Sequence, residues 1–183
     1  MNVFTSYPHS LYKSKKTSGF TIVELLIVIV VIAILAAISI VAYNGIQDRA
    51  RKVQISSDLG QLQKAIMAAR VNKGDIALRY ITKTPSTSGL CVVTESSVDL
   101  SNQQLASSCW SRYNSSLNAI SDASGIDVRS LKDPWGRPYF IDETEGEFGC
   151  SRDVLGTFPL NRAKDDWTRE NTTLVPLGTA ACV

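Results

Sequence analysis

Histidine is almost absent from this sequence, whose 183 residues include only His9. The H-E-x-x-H, G-x-S-x-G and phosphate-loop patterns of metalloproteases, hydrolases and nucleotide-binding proteins are also missing. General acid–base catalysis by imidazole is therefore excluded from everything after position 9. Carboxylate pairs remain an alternative in principle. We predict a protein that is not an enzyme, with no catalytic residues and no cofactor.

The sequence also has little net charge, since 19 basic residues face 17 acidic ones and the formal charge is +2. No overall field would draw such a molecule to nucleic acid. The first 19 residues nevertheless hold three lysines and no acidic residue. A local alternative is DNA binding by a basic cluster whose acidic neighbours cancel much of its field. The cluster is Arg162, Lys164 and Arg169, and the neighbours are Asp165, Asp166 and Glu170.

Charged residues, glycine and proline are missing from Leu25 to Ala42, a run of 18 residues. A helix of this length spans roughly 27 Å, close to the hydrocarbon thickness of a bilayer. The apolar core of a cleaved secretory signal is shorter, about 7 to 15 residues. We therefore predict a transmembrane helix. Its orientation is not set by basic residues, because three flank each end of the run: Lys13, Lys15 and Lys16 before it, and Arg49, Arg51 and Lys52 after it.

Glu24 stands at the start of this apolar run. An unpaired buried carboxylate costs several kcal/mol, so a compensating group is expected. One interpretation is a capping box, in which the side chains of Thr21 and Glu24 bond to N–H groups of the first helical turn. The other is pairing with a positive charge from processing or from a neighbouring chain. The residue chemistry alone leaves both open.

Beyond the apolar run, hydrophobic residues recur every three or four positions, which predicts an amphipathic helix. The whole helix would extend from Phe20 to about Lys73 and measure roughly 80 Å. Its hydrophobic face consists of Ile55, Leu59, Leu62, Ile66 and Ala69, after a shorter row of Ile46, Ala50 and Val53.

After Gly74 the sequence predicts short elements and turns. Residues 90–94 favour a strand. Residues 101–104 form a capping-box pattern, with Leu100 and Leu105 placed as a hydrophobic staple for the helix that follows. Residues 133–139 predict a tight turn that leads into a strand at Phe140–Asp142. The core face of the helix is Trp110, Tyr113, Leu117 and Ile120, and an exposed acidic hairpin loop is predicted from Asp142, Glu143, Glu145 and Glu147.

Cysteine is missing from the first 90 residues. An even number confined to one region suggests disulfides formed in an oxidising compartment, which would place the C-terminal side outside the cytosol. Four cysteines allow three pairings. They are Cys91, Cys109, Cys150 and Cys182.

Residues 15–26, K-K-T-S-G-F-T-I-V-E-L-L, resemble the processing signature of type IV pilins and of the pseudopilins of secretion and competence systems. The resemblance implies that a prepilin peptidase cleaves after Gly19 and that the new N-terminal Phe20 is N-methylated. It also implies that Glu24 acts in assembly, because the freed amino group of an incoming subunit neutralises it.

Two further segments resemble major pseudopilins. One is D-P-W-G-R-P-Y at 133–139. The other, Asp165-Asp166-Trp167, is similar to their calcium loop, but two aspartates supply too few of the six to eight oxygens that calcium needs, and we predict no metal site. The resemblance also implies the pairings Cys91–Cys109 and Cys150–Cys182, because pilin heads often tie back the last strand.

The implied fold is α+β, with a long N-terminal helix packed on a small antiparallel β-sheet head. The expected divisions are a leader at 1–19, a transmembrane and filament-core helix at 20–43, its amphipathic continuation at 44–73 and a globular head at 74–183. The expected location is the cytoplasmic membrane, spanned once with the N-terminus inside, and then an extracytoplasmic or cell-surface filament.

The implied function is that of a structural subunit of a type IV pilus-like filament. Its partners would be other pilin subunits, the peptidase, membrane lipid, an inner-membrane assembly platform and a cytoplasmic ATPase. Alternatives are a pseudopilin of type II secretion or DNA uptake, in which case nucleic acid becomes a partner, and a minor or tip pilin. A membrane-anchored adhesin or enzyme is a further alternative.

Overall fold

A single long helix, α1, occupies Ile22–Asn72 in the computed structural model, which describes residues 19–143 and 152–176. The helix is continuous through Gly45 and Gly60. It ends at Asn72, and Gly74 in the turn that follows has a φ of 84°, which suits a residue without a side chain. The predicted helix from Phe20 to about Lys73 is therefore confirmed. Contacts divide the chain into two units, one ending at Ile46 and a C-terminal unit of Gln47–Val183.

In the C-terminal unit, the predicted hydrophobic face of α1 is buried. Ile55, Leu59, Leu62, Ile66 and Ala69 are all at most 3% exposed. The shorter row before them is different, since Ile46, Ala50 and Val53 are exposed. Spacing of three and four residues thus identified the packing face, and that face begins at Ile55.

Three further helices follow: α2 at Leu78–Thr82, α3 at Gly89–Val92 and α4 at Ser107–Ser124. The expected strand at 90–94 is wrong, because this segment forms α3 and the turn after it. Cys91 and Val92 are neighbours and both are buried, which one helical turn allows and an alternating strand does not. The Thr94 hydroxyl also donates to the Leu90 carbonyl at 2.7 Å.

The expected start of α4 is also wrong. The Ser101 hydroxyl donates to Asp99 instead of capping a helix, and α4 begins six residues later with Ala106 as its N-cap. Asn102 accepts the backbone N–H groups of Gln104 and Leu105 at 3.1 and 3.2 Å, which fixes a turn before the helix. Leu105 is 66% exposed, so it forms no hydrophobic staple.

The strands form one antiparallel sheet in the order β1–β2–β3, with β1 at Phe140–Asp142, β2 at Val154–Thr157 and β3 at Glu170–Leu174. Phe140 pairs with Gly156, and the β2–β3 register shifts between Leu155 and Thr157. At that irregularity, a Cβ on Gly156 would lie 2.8 Å from the Glu170 carbonyl oxygen. The predicted strand after residues 133–139 is confirmed, as is the α+β class.

The core joins α1, α4 and the sheet. The expected core face of α4 is confirmed, since Trp110, Tyr113, Leu117 and Ile120 are buried. Phe140 packs edge-to-face on Phe158 at a centroid distance of 5.3 Å. The Tyr139 hydroxyl donates to Asp58 on α1 at 2.7 Å, which links the sheet to the helix.

Candidate functional site

The apolar part of α1 is not buried by any of the residues that the structure describes. The 18 residues of Ile22–Ser39 have a mean hydropathy of 3.1, and none of them is buried. This window is long and apolar enough to cross a membrane. Such a surface is stable only in lipid or against other apolar helices, so it is the first element of the site.

Gly19 and Phe20 precede the helix and are both exposed. The Phe20 side chain is 80% exposed. A Cβ on Gly19 would meet no atom within 4 Å, so the fold itself does not require glycine at this position. Any requirement for glycine there must come from a partner that recognises the segment.

Thr21 and Glu24 form a reciprocal capping box at the start of α1. Glu24 Oε2 accepts from the Thr21 backbone N–H at 2.8 Å and from the Thr21 hydroxyl at 2.7 Å. The Glu24 backbone N–H in turn donates to Thr21 Oγ1 at 3.2 Å. This geometry places a carboxylate at the positive end of the helix dipole, where it is stabilised.

Residues 14–40 match the family model described as the prokaryotic N-terminal methylation motif. The chain carries a prepilin-type leader. This confirms the resemblance to type IV pilins and pseudopilins, whose leader class the motif represents. The match includes Gly19, Phe20 and Glu24 together with the whole apolar window of Ile22–Ser39. No solved structure matches the chain.

The structure links Cys91 to Cys109 by a disulfide, one of the two pairs that the resemblance implied. Both cysteines are buried, and the bond joins α3 to α4. Their Cα atoms are 4.5 Å apart. Cys150 and Cys182 lie outside the described residues.

The acidic loop around Asp165 and Asp166 is arranged by local bonds. Asp166 accepts the Thr168 backbone N–H at 2.9 Å, and this bond is the main reason why the pKa of its carboxyl is lowered. Asp165 has a φ of 59° and donates its N–H to the Val92 carbonyl. Within the described ranges no group of three or more histidine, cysteine or acidic residues could hold a metal ion.

The basic cluster considered for DNA binding does not form a common surface. Arg162 is buried and donates to the carbonyls of Val92, Thr94 and Glu95. Lys164 pairs with the Glu95 carboxylate at 2.8 Å. The Arg169 guanidinium lies 5.5 Å from the centroid of the Phe140 ring. The structure therefore uses these residues to hold the C-terminal segment on the core.

Glu143 was expected in an exposed acidic loop, and this expectation is wrong. Its side chain is fully buried, and it accepts the Thr87 backbone N–H at 2.6 Å. It also bonds to the Thr87 hydroxyl, which lies 2.8 Å from Ser116 Oγ. Burial raises the pKa of Glu143 to about 8, although the Thr87 bonds act in the opposite direction. Glu145 and Glu147 lie outside the described residues.

Two buried ion pairs also escaped sequence reasoning. Arg70 of α1 pairs with Asp153, just before β2, and both side chains are almost fully buried. Arg137 pairs with Asp133 at 2.7 Å within the turn that precedes β1. Only the pair of Arg137 and Asp133 could have been predicted from the sequence, because these residues are four positions apart within the segment 133–139.

Proposed function

We propose that the chain is the precursor of a filament subunit, cleaved after Gly19, N-methylated at Phe20 and polymerised through α1 into a type IV pilus-like filament. One observation carries the proposal: a lone carboxylate, Glu24, heads an apolar helical window in which no residue is buried. Glu24 lies four residues after Phe20, the proposed mature N-terminus, and both residues fall within the matched range 14–40.

The free oxygen of Glu24 supports the assembly role. Both Thr21 groups donate to Oε2, and among the described residues no group donates to Oε1. When apolar helices bundle, Glu24 is transferred from an exposed site to a dry one, which costs several kcal/mol unless a cation arrives with it. The Phe20 amino group of another subunit is such a cation, and pairing would fix the register between subunits.

The Cys91–Cys109 bond supports an orientation with the N-terminus in the cytosol. Structural disulfides form in oxidising compartments, so the C-terminal unit would lie outside the cytoplasmic membrane. On this proposal lipid holds the subunit before assembly, and a peptidase, an assembly platform and a cytoplasmic ATPase are its partners. The subunit itself performs no chemistry.

A second candidate is a pseudopilin of type II secretion or DNA uptake. The turn at residues 133–139, which resembles major pseudopilins, supports it. Here Gly136 adopts a φ of 79°, and Asp133 Oδ1 accepts the backbone N–H groups of Trp135 and Arg137 at 3.0 and 2.8 Å. A minor or tip subunit would use the same N-terminal chemistry. These candidates share processing and polymerisation and differ in the machine they serve.

The test separates the two roles of Glu24. In Glu24→Ala cells, mass spectrometry should find a membrane-bound chain that begins with methylated Phe20, while sheared filaments are lost. Thr21→Ala is the matched control, because it removes the two bonds made by the Thr21 hydroxyl and keeps the carboxylate. We expect Thr21→Ala to retain most of the filament yield, since a helix cap contributes only about 1 kcal/mol.

Normal filament yield from Glu24→Ala would refute the pairing of Glu24 with an incoming amine. Equal loss from both variants would assign Glu24 to capping alone. An intact leader in the wild-type chain, in cells with active prepilin peptidase, would refute the proposed processing.

A further inference from the structure

A surface cavity of about 480 Å³ lies on the C-terminal unit, and none of its lining residues belongs to the unit that ends at Ile46. Three segments form its walls. They are the Ser96–Ser101 part of the loop closed by the Cys91–Cys109 disulfide, the turn that carries Trp135 and Arg137, and the segment from Pro159 to Arg162 after β2. The volume falls within the range of small-molecule sites.

Arg162 places a positive charge in this cavity wall without a carboxylate partner. Its side chain is 6% exposed, and its three hydrogen bonds, at 3.0 to 3.3 Å, all go to backbone carbonyls. Within the part of the chain that the structure describes, no acidic oxygen lies within 4.0 Å of it. Burial lowers the pKa of Arg162, and the like charge of Arg137 adds to this effect. A buried cation of this kind is stabilised when an anion binds.

Arg137, the second guanidinium in the wall, is already neutralised. It pairs with the buried carboxylate of Asp133, and its Nη1 donates to the Pro159 carbonyl at 3.3 Å. Arg162 has no such close pair, and the Asp166 carboxylate acts on it only from beyond ion-pair distance, where it partly offsets the fall in the Arg162 pKa. A bound anion would therefore be the first close counter-charge of Arg162.

Asp99 provides a hydrogen-bond acceptor in the same cavity. Its two carboxylate oxygens accept from the Ser101 backbone N–H at 2.9 Å and from the Ser101 hydroxyl at 2.8 Å. These bonds lower the pKa of Asp99, so the carboxylate stays ionised at neutral pH. A ligand that is only an anion would be repelled by Asp99, whereas a ligand that also carries hydroxyl groups can donate to it.

Trp135 gives the cavity an aromatic wall. Its ring is half-buried and held by two guanidinium groups, Arg137 at 5.1 Å and Arg51 at 5.8 Å from the ring centroid. Leu160 adds an apolar side chain that is 63% exposed. Such a surface suits a ligand with a face of C–H groups.

The cavity is also preorganised. The Trp110 indole N–H donates to the Leu100 carbonyl at 2.7 Å, and the disulfide fixes both ends of the loop that contributes Asp99. Arg162 holds the beginning of the same loop through its three carbonyl contacts. A ligand would therefore lose little affinity to ordering of the wall.

We propose that this cavity binds an acidic saccharide, with its carboxylate directed to Arg162, its hydroxyl groups to Asp99 and the wall serines, and a C–H face on Trp135. The ligand class follows from the presence of Arg162, Asp99 and Trp135 in one cavity wall. A neutral sugar would bring no negative charge to Arg162, and a simple carboxylate would contact neither Asp99 nor Trp135. The site is independent of filament assembly, since no wall residue belongs to the first unit.

The test uses the full chain in lipid nanodiscs and titrates it with trigalacturonic acid by calorimetry. The comparison ligands are the uncharged galactose trisaccharide and acetate. We expect the acidic trisaccharide to bind at least about tenfold more tightly than either, since a charge-assisted hydrogen bond is worth about 1.5 to 3 kcal/mol and 1.4 kcal/mol is tenfold.

Two wall variants probe the site without disturbing the core. Leu160→Asp adds a repelling charge at an exposed position and should weaken binding about tenfold or more. Asp99→Asn should weaken binding of the neutral trisaccharide, which loses a charged acceptor, and strengthen binding of acetate, which loses a repelling neighbour. Arg129→Gln, an exposed arginine whose partners are Asp122 and Asp127, is the control and should bind as wild type does.

Equal affinity for the acidic and neutral trisaccharides would overturn the role of Arg162. Acetate binding as tightly as trigalacturonic acid would overturn the saccharide class. Unchanged binding in Leu160→Asp would place the ligand outside this cavity.

Discussion

The window Ile22–Ser39 and the C-terminal unit are built from similar hydrophobic residues and use them in opposite ways. The window exposes all of its leucine, isoleucine and valine side chains. The C-terminal unit buries the face of α1 from Ile55 onward against α4 and the sheet. A stable fold within one chain therefore explains the second region, whereas the first is explained only by lipid or by neighbouring helices.

The charged residues of the two regions differ in the same way. In the C-terminal unit, two buried arginines pair with carboxylates of the same chain, Arg70 with Asp153 and Arg137 with Asp133. Among the described residues, the Glu24 carboxylate accepts from the hydroxyl and N–H of Thr21 alone, and these bonds are sufficient while it is exposed. Burial among other apolar helices would require a cation from outside its own chain.

The largest effect should come from a charge inside the exposed window. Ile32→Lys adds about 3 to 4 kcal/mol to the cost of placing this position in an apolar environment. We expect sheared filaments to be lost, because an unpaired ammonium would be buried in the bundle. The midpoint of thermal unfolding of the C-terminal unit, followed by near-ultraviolet circular dichroism, should stay unchanged. Ile32→Ala is the control and should assemble. A normal filament yield from Ile32→Lys would show that the window Ile22–Ser39 is not buried in an apolar environment in the filament.

The reciprocal change lies in the core of the C-terminal unit. Leu117 is fully buried on α4, and Leu117→Ala should lower the free energy of unfolding by about 2 to 5 kcal/mol through lost contacts and a cavity. Membrane retention of the chain should not change. Leu105→Ala, at an exposed position, should shift stability by less than about 0.5 kcal/mol. Equal effects of the two variants in chemical denaturation would show that the core is not packed around α4.

The third effect is a pH dependence set by Glu143. Its pKa rises from about 4.5 to about 8 on folding, so the folded state keeps a proton that the unfolded state releases. Stability should therefore fall as pH rises from about 4.5 to about 8, by on the order of 1 kcal/mol per pH unit, and change little above that window.

The comparison variant is Glu143→Gln, which cannot titrate and still offers an acceptor to the Thr87 N–H. The difference in unfolding free energy between wild type and variant, measured across pH 4 to 9, isolates this residue. A difference that does not vary with pH would show that Glu143 is ionised in the folded state.

Periodic patterns were sufficient for the long elements. The spacing of Ile55, Leu59 and Leu62 identified the buried face of α1, and Trp110, Tyr113 and Leu117 identified that of α4. The turn at 133–139 also predicted the strand that follows it, β1, because proline and glycine act directly on the local backbone conformation. In each case the signal is carried by residues close together in sequence.

Short segments without periodicity were misassigned. Leu90–Thr94 has the composition of a strand, yet its disulfide partner on α4 and the buried neighbours Cys91 and Val92 favour a helical turn. Ser101 has the pattern of a helix cap, yet Asp99 takes its hydroxyl. In the first segment the disulfide to Cys109 outweighs the strand preference of the residues, and in the second the bond to Asp99 outweighs the preference of Ser101 for a helix cap.

By itself, the sequence determined the prepilin-type leader, the apolar window and the position of Glu24, because these depend on composition and on spacing along one chain. Only the tertiary structure decided that Glu143 is buried beside Thr87, that Arg162 stands in a cavity wall without a carboxylate, and that Trp135 and Asp99 face the same cavity. The reason is physical: burial and charge compensation are set by residues that are distant in sequence, and no local pattern records which of them meet.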